Sequence, residues 1–159
     1  MDGRAKLWGL GLVALLVLAA CNSGPSREEF VAEANQICED AEATLEELGG
    51  SALANQDPSE ITEVASEQLT NLRDELEGLT PPDELSDDFD SMIEGLEGAI
   101  EDVDSLSAAV EDIQAGDQPD EETVQEVQEI TESMTTNLDQ ASQAARDMEI
   151  DGCGQTTGG

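Results

Sequence analysis

Apolar residues recur every three or four positions along residues 85–116, which read LSDDFDSMIEGLEGAIEDVDSLSAAVEDIQAG. This spacing places the apolar side chains on one face of an α-helix, while the intervening positions are mostly acidic or small. Gly116 closes the segment, as glycine commonly does at a helix end. The sequence therefore predicts a long amphipathic helix with an apolar stripe of Leu85, Phe89, Met92, Leu96, Ala99, Ile100, Val103, Leu106, Val110 and Ile113.

Three further segments have the same helical period. The first starts at a capping box, SREE at residues 26–29, and is predicted to stop at the Gly49-Gly50 pair. The second starts at Asp57-Pro58, a cap followed by proline at the first helical position, and ends at the prolines of residues 81–82. The last follows residues 117–120, and its stripe is Val124, Val127, Thr131, Met134, Leu138, Ala141, Ala145 and Met148.

These segments predict an all-α protein. Period-two alternation is not sustained anywhere, and short connections rich in glycine and proline favour antiparallel neighbours. We therefore expect an up-down-up-down four-helix bundle over residues 26–153, preceded by a signal peptide helix at 1–20 and a short tether at 21–25, and followed by a flexible tail at 154–159. The same stripes would also suit coiled-coil seams in an oligomer.

The chain opens like a secretory signal peptide. Arg4 and Lys6 precede fourteen uncharged residues, 7–20. That length is typical of a signal-peptide core, and it falls short of the roughly 20 apolar residues that span a bilayer.

The end of this run resembles the bacterial lipobox, in which small residues fit the lipoprotein signal peptidase. The matching residues are Leu18, Ala19, Ala20 and Cys21. The resemblance implies that Cys21 receives a diacylglyceryl thioether, becomes the mature N-terminus and anchors the protein on the outer face of the cytoplasmic membrane. The alternative is a plain secretory signal that is cut near Ala20.

The predicted mature chain is extremely acidic. Residues 1–20 hold one of the 39 acidic and two of the five basic residues, so a net charge of −35 remains after cleavage. Such a surface repels nucleic acid and anionic headgroups, and it attracts cations or a basic protein. Adaptation to a saline habitat is the other explanation of the same charge.

Two cysteines remain besides Cys21. Cys38 lies in the first predicted helix and Cys153 just after the last. An up-down-up-down bundle returns the end of its fourth helix beside the start of its first, so the two thiols come within reach of each other. A disulfide is the favoured interpretation, and a redox or metal site formed by two free thiols is the alternative.

Three short motifs are similar to a family of small helical lipoproteins of high-GC Gram-positive bacteria. They are EANQIC at residues 33–38, LTPPDEL at 79–85 and DGCG at 151–154, and they accompany the lipobox. The resemblance implies a single helical domain in which Cys38 is joined to Cys153. The resemblance implies no activity.

Residue types exclude most catalytic chemistry. The chain has no histidine, which rules out Ser-His-Asp and Cys-His arrangements and every zinc or di-iron motif that contains histidine. We expect no enzyme activity and no cofactor. Acidic clusters lack the spacing of an EF-hand, so we expect only weak, diffuse cation association at Asp87, Asp88, Asp90, Asp117, Asp120 and Glu121.

The sequence favours a non-catalytic, lipid-anchored envelope protein that acts as a protein-interaction module, with a basic envelope protein as partner. The alternative is a small-ligand or cation-binding lipoprotein, with its site between helices or on the acidic surface. Packing of the small residues on the stripes discriminates between the two, because they either close the core or leave a pocket. These residues are Ala41, Ala65, Ala99, Ala141 and Ala145.

The acidity predicts a salt-dependent stability. Like charges three or four positions apart on a helix cost roughly 0.2–0.5 kcal/mol per pair, and about 1 M salt screens them almost completely. The melting temperature, followed by circular dichroism, is therefore expected to rise between low salt and about 1 M NaCl. An unchanged melting temperature would contradict the prediction.

Overall fold

The computed structural model describes residues 24–51, 57–116 and 121–154. All regular structure in these ranges is helical, and they contain no strand. In chain order the helices are α1 Arg27–Ser51, α2 Pro58–Glu77, a 3-10 turn Asp83–Leu85, α3 Ser86–Ala115, α4 Glu121–Asp147 and α5 Asp151–Gly154. The all-α prediction is confirmed.

The predicted helix starts are confirmed. The backbone N–H of Ser26 donates to Glu29 Oε2 at 3.1 Å, and the N–H of Glu29 donates to Ser26 Oγ at 3.3 Å, which completes the capping box. Asp57 caps α2 by accepting from the backbone N–H of Ser59 at 3.1 Å. Gln114, at the end of α3, also donates to the Asp57 carboxylate at 2.8 Å. The cap of α2 thus also ties two helices together.

Two predicted helix ends differ from the structure. The first helix runs through Gly49 and Gly50 to Ser51, because glycine weakens a helix by about 1 kcal/mol without forbidding helical angles. The second ends earlier than its prolines, at Glu77, with Gly78 as the C-cap. Gly116 closes α3 as predicted.

The core lies where the start of α1, the end of α2, the start of α3 and the end of α4 meet. Phe30 and Phe89 pack edge to face with ring centroids 5.5 Å apart, and both are buried. Leu76 and Met148 are fully buried in the same cluster. Each long helix contacts its neighbour in sequence, and α5 contacts both α1 and α4.

The α4 stripe is only partly correct. Ala141, Ala145 and Met148 are buried, but Thr131 is exposed and Val124 is 44% exposed. Among the long helices in the described ranges, α3 is the one that α4 contacts extensively. One partner covers a narrower face than a central core does, so part of the stripe stays in contact with solvent.

The chain reverses after α4 through a Schellman motif. The N–H of Ile150 donates to the carbonyl of Ala145 at 2.8 Å, and that of Glu149 to the carbonyl of Arg146 at 3.0 Å. Glu149 has a φ of 67°, in the left-handed region where glycine is normally found. The reversal delivers Ile150, which has no exposed surface, into the core. It sets the direction in which α5 leaves.

The backbones of α3 and α4 approach closely at Gly95. A Cβ at this position would lie 2.7 Å from the Asn137 carbonyl oxygen and 2.8 Å from the Ala141 amide nitrogen. Real Cβ atoms essentially never come this near to backbone atoms, so only glycine fits without a shift of one helix.

The Gly95→Ala substitution is therefore expected to destabilise the protein by about 1–3 kcal/mol, because overpacking must push the helices apart. The expected destabilisation is opposite to the intrinsic helix preference, since alanine in a helix interior is normally about 1 kcal/mol more favourable than glycine. Denaturant unfolding monitored by circular dichroism measures the change.

Gly116→Ala is the matched control at the end of the same helix. Its φ of −101° suits alanine, and the nearest atom to a new Cβ is 3.5 Å away. Its stability is expected to stay within about 0.5 kcal/mol of the parent protein. A Gly95→Ala variant as stable as the parent would show that the close approach carries no constraint.

Candidate functional site: a cavity beside the disulfide

Cys38 and Cys153 form a disulfide with Cα atoms 5.2 Å apart. The expected pairing is thus present, and the free-thiol alternative is not. A hydrogen bond supports the same junction, because the backbone N–H of Gly152 donates to Asn35 Oδ1 at 2.9 Å. Gly152 is buried, and a Cβ there would lie 3.1 Å from both the Asn35 carbonyl oxygen and Cys38 Cβ. α5 is therefore held tightly against α1.

A surface ion pair joins the start of α1 to the chain reversal at the same end of the molecule. Arg27 Nη2, in the first turn of α1, lies 2.9 Å from Glu149 Oε2. The side chain of Arg27 is 39% exposed and that of Glu149 is 75% exposed, so solvent screens the pair and it adds little stability by itself. It places Glu149, the residue with the left-handed φ, next to the start of α1.

A cavity of about 260 Å³ lies directly against the disulfide and is partly open to solvent. Five helices contribute to its wall, which is mainly apolar. The lining residues are Cys38, Ala41 and Glu42 from α1, Leu69 and Leu72 from α2, Met92 and Leu96 from α3, Leu138, Ala141 and Ser142 from α4, and Gly152 and Cys153 from α5.

Four of the five small residues on the stripes fall into two groups, and the fifth, Ala65, is half-buried and does not line the cavity. Ala99 and Ala145 have no exposed surface and lie where helices pack closely. Ala41 and Ala141, by contrast, line the cavity. Ala41 is half-buried on α1, whereas Ala141 is buried and also packs against Gly95 of α3. The question left open by the sequence is thus answered: at this level the core is not full.

The residues that line the cavity provide an apolar surface for binding and few groups that could react. Glu42 is its one charged residue, and it is exposed, so it marks where the wall reaches solvent. Met92 is fully buried, and its unbranched side chain adapts its shape easily. Pockets with apolar walls and a few polar groups are typical of small-molecule sites.

Carboxyls with a shifted pKa lie elsewhere, at helix caps. The backbone N–H of Ser26, followed by its hydroxyl, lowers the pKa of Glu29. The hydroxyl of Ser59, followed by its backbone N–H and the amide of Gln114, lowers the pKa of Asp57. Both shifts follow from hydrogen bonds that favour the ionised form. They are properties of helix ends, and neither residue lines the cavity.

The predicted cation-binding acids that the structure describes do not form a metal site. Asp87, Asp88 and Asp90 occupy the first turns of α3, and Glu121 begins α4, whereas Asp117 and Asp120 lie outside the described residues. Within residues 24–51, 57–116 and 121–154, no group of three acidic or cysteine side chains is arranged to hold a metal ion. Diffuse association with cations stays a prediction.

The predicted lipidation segment, Leu18, Ala19, Ala20 and Cys21, also lies outside the described residues. Among the helices that the structure describes, none has the length and hydrophobicity needed to cross a bilayer.

Comparison with known proteins finds no match. No family model, no curated protein and no solved structure is similar to this chain. The cavity, the charge and the N-terminal segment therefore carry the functional argument.

Proposed function

We propose that this protein is a lipid-anchored, non-catalytic envelope lipoprotein whose helical domain binds a small apolar molecule. The cavity beside the Cys38–Cys153 disulfide is the observation that carries the proposal. Its volume of about 260 Å³ approaches the lower end of the range for small-molecule sites, about 300 Å³.

The domain is an up-down-up-down four-helix bundle in this proposal. Support comes from the core, in which alternate ends of the four long helices meet, and from the contacts between consecutive helices. α5 closes the bundle between α1 and α4. Ligand sites between the helices of a bundle are common, because facing side chains enclose the space.

Binding fits the cavity better than catalysis does. Glu42 is the one titratable group in its lining, since Cys38 and Cys153 are joined and do not titrate. General acid–base and nucleophilic catalysis both need at least one further positioned group.

The anchor is Cys21, by resemblance of residues 18–21 to a lipobox. Two or more acyl chains give stable attachment, at about 0.8 kcal/mol for each buried methylene. Four residues, 22–25, separate the anchor from the capping box. The domain thus stays close to the outer face of the cytoplasmic membrane, where apolar molecules are concentrated.

A second candidate function is interaction with a basic envelope protein. The predicted mature net charge of −35 favours it, as does the pairing of Arg73 with Asp74, Glu77 and Glu97, which neutralises one of only three cations. A charged surface of this kind speeds association with an oppositely charged partner.

The anchor predicts a change in location on mutation. The full chain, expressed in a bacterium that processes lipoproteins, is expected in the membrane fraction, and its Cys21→Ser variant in the soluble extracytoplasmic fraction. Fractionation followed by immunoblotting measures both. A parent chain found in the soluble fraction would contradict the anchor and leave the cavity unaffected.

The cavity predicts binding of a compact apolar probe. Naphthalene is expected to bind the mature chain carrying Cys21→Ser and to raise its melting temperature, because a ligand specific for the folded state stabilises it. Ala41→Leu fills part of the cavity and is expected to weaken binding roughly tenfold or more, measured by fluorescence titration.

Ala43→Leu is the matched control, since Ala43 is exposed on the same helix and does not line the cavity. It is expected to bind naphthalene like the parent. Equal weakening by both variants, or failure of the parent to bind any probe with an apolar part, would overturn the ligand-binding proposal and favour the interaction module.

A further inference from the structure

The cavity has an apolar interior and one charged rim residue. Leu69, Leu72 and Leu96 contribute aliphatic wall, and Glu42 is the exposed carboxylate among the lining residues. A ligand with an apolar part and a polar end fits this arrangement, because its apolar part leaves water while its polar end stays beside Glu42. The lining thus favours an amphiphile over a wholly apolar molecule.

The volume limits how much of the ligand enters. An apolar cavity of about 150 Å³ holds benzene, so 260 Å³ has space for roughly ten carbon atoms. A single aliphatic chain of that length, or the end of a longer one, meets this limit. A diacyl lipid does not fit whole.

The charges around the cavity determine which kind of polar head group a bound ligand can carry. No cation is among the lining residues. Arg27 and Arg73 are engaged by carboxylates elsewhere, the first by Glu149 and the second by Asp74, Glu77 and Glu97. An anionic head beside Glu42 would meet a like charge and no cation among the lining residues, whereas a cationic head would be attracted.

We infer that the cavity binds a single-chain amphiphile with about ten buried carbon atoms and a cationic or neutral head, and that it discriminates against carboxylates such as fatty acids. This inference rests on the proposed ligand-binding function and specifies its ligand class. Glu42 determines head-group specificity by its charge at the rim, and the alanine and leucine walls accept the chain.

Three probes with the same chain and different heads test it: decylamine, decan-1-ol and decanoate. Isothermal titration calorimetry with the mature Cys21→Ser chain is done at about 0.15 M salt, where the Debye length is about 8 Å and charges closer than this are only partly screened. We expect decylamine to bind most tightly and decanoate at least about tenfold more weakly than decan-1-ol. In Glu42→Gln, the ratio of decylamine to decanoate affinity is expected to fall roughly tenfold.

Two controls separate the cavity from the acidic surface. Ala41→Leu keeps every surface charge, so decylamine that still binds to it reports association outside the cavity and is subtracted. Glu39→Gln removes an exposed carboxylate from the same helix at a position that does not line the cavity. It is expected to leave the order of the three probes unchanged.

The outcomes test the inferred ligand class separately from the proposed ligand-binding function. Equal affinity for the three heads, tightest binding of decanoate, or an unaltered ratio in Glu42→Gln would overturn the inference while the ligand site stands. Binding of naphthalene without any decyl probe would also overturn it, in favour of compact ring ligands. Absence of binding by naphthalene and all three decyl probes would overturn the proposed function itself.

Discussion

The close approach of α3 and α4 at Gly95 governs how the rest of the molecule packs. Because backbone meets backbone there, the two helices form a seam that leaves no space for side chains between them at that level. Ala141 belongs to this seam and also faces the cavity. The cavity lies beside this seam, and α1, α2 and α5 complete the wall that α3 and α4 begin. Ala41 contributes one of the short side chains in that wall.

Local signals in the sequence predicted the helices well. Capping residues such as Ser26 and Asp57 act within a few positions, so their effect is visible in the sequence and is confirmed by their hydrogen bonds. Whether a residue is buried depends on the neighbouring helices, and the spacing of apolar residues within one segment does not reveal these. Thr131 has the correct spacing but is exposed, because α4 has little covering there. The chain reversal at Glu149 was not predictable, since its left-handed φ is one that glycine normally adopts.

The candidate site was predictable in its parts and not as a whole. The cysteine pair and the five alanines were identifiable from spacing, and the disulfide is present. Some of these alanines pack closely and others line the cavity. The difference depends on the distances between five helices, and the sequence of one helix does not determine those distances. Glu42 had no distinguishing signal among 39 acidic residues, and only its place in the cavity wall sets it apart.

The disulfide also determines what a protease can remove. Cys38 and Cys153 are 115 positions apart, so their bond turns most of the domain into a covalent ring with a tail on each side. A single backbone cut inside the ring opens it but releases no fragment, because both new ends remain connected through the sulfur bridge. The segment before Cys38 and the segment after Cys153 stay joined whichever link between helices is cut. A first cleavage between the helices therefore leaves the domain in one covalently connected piece.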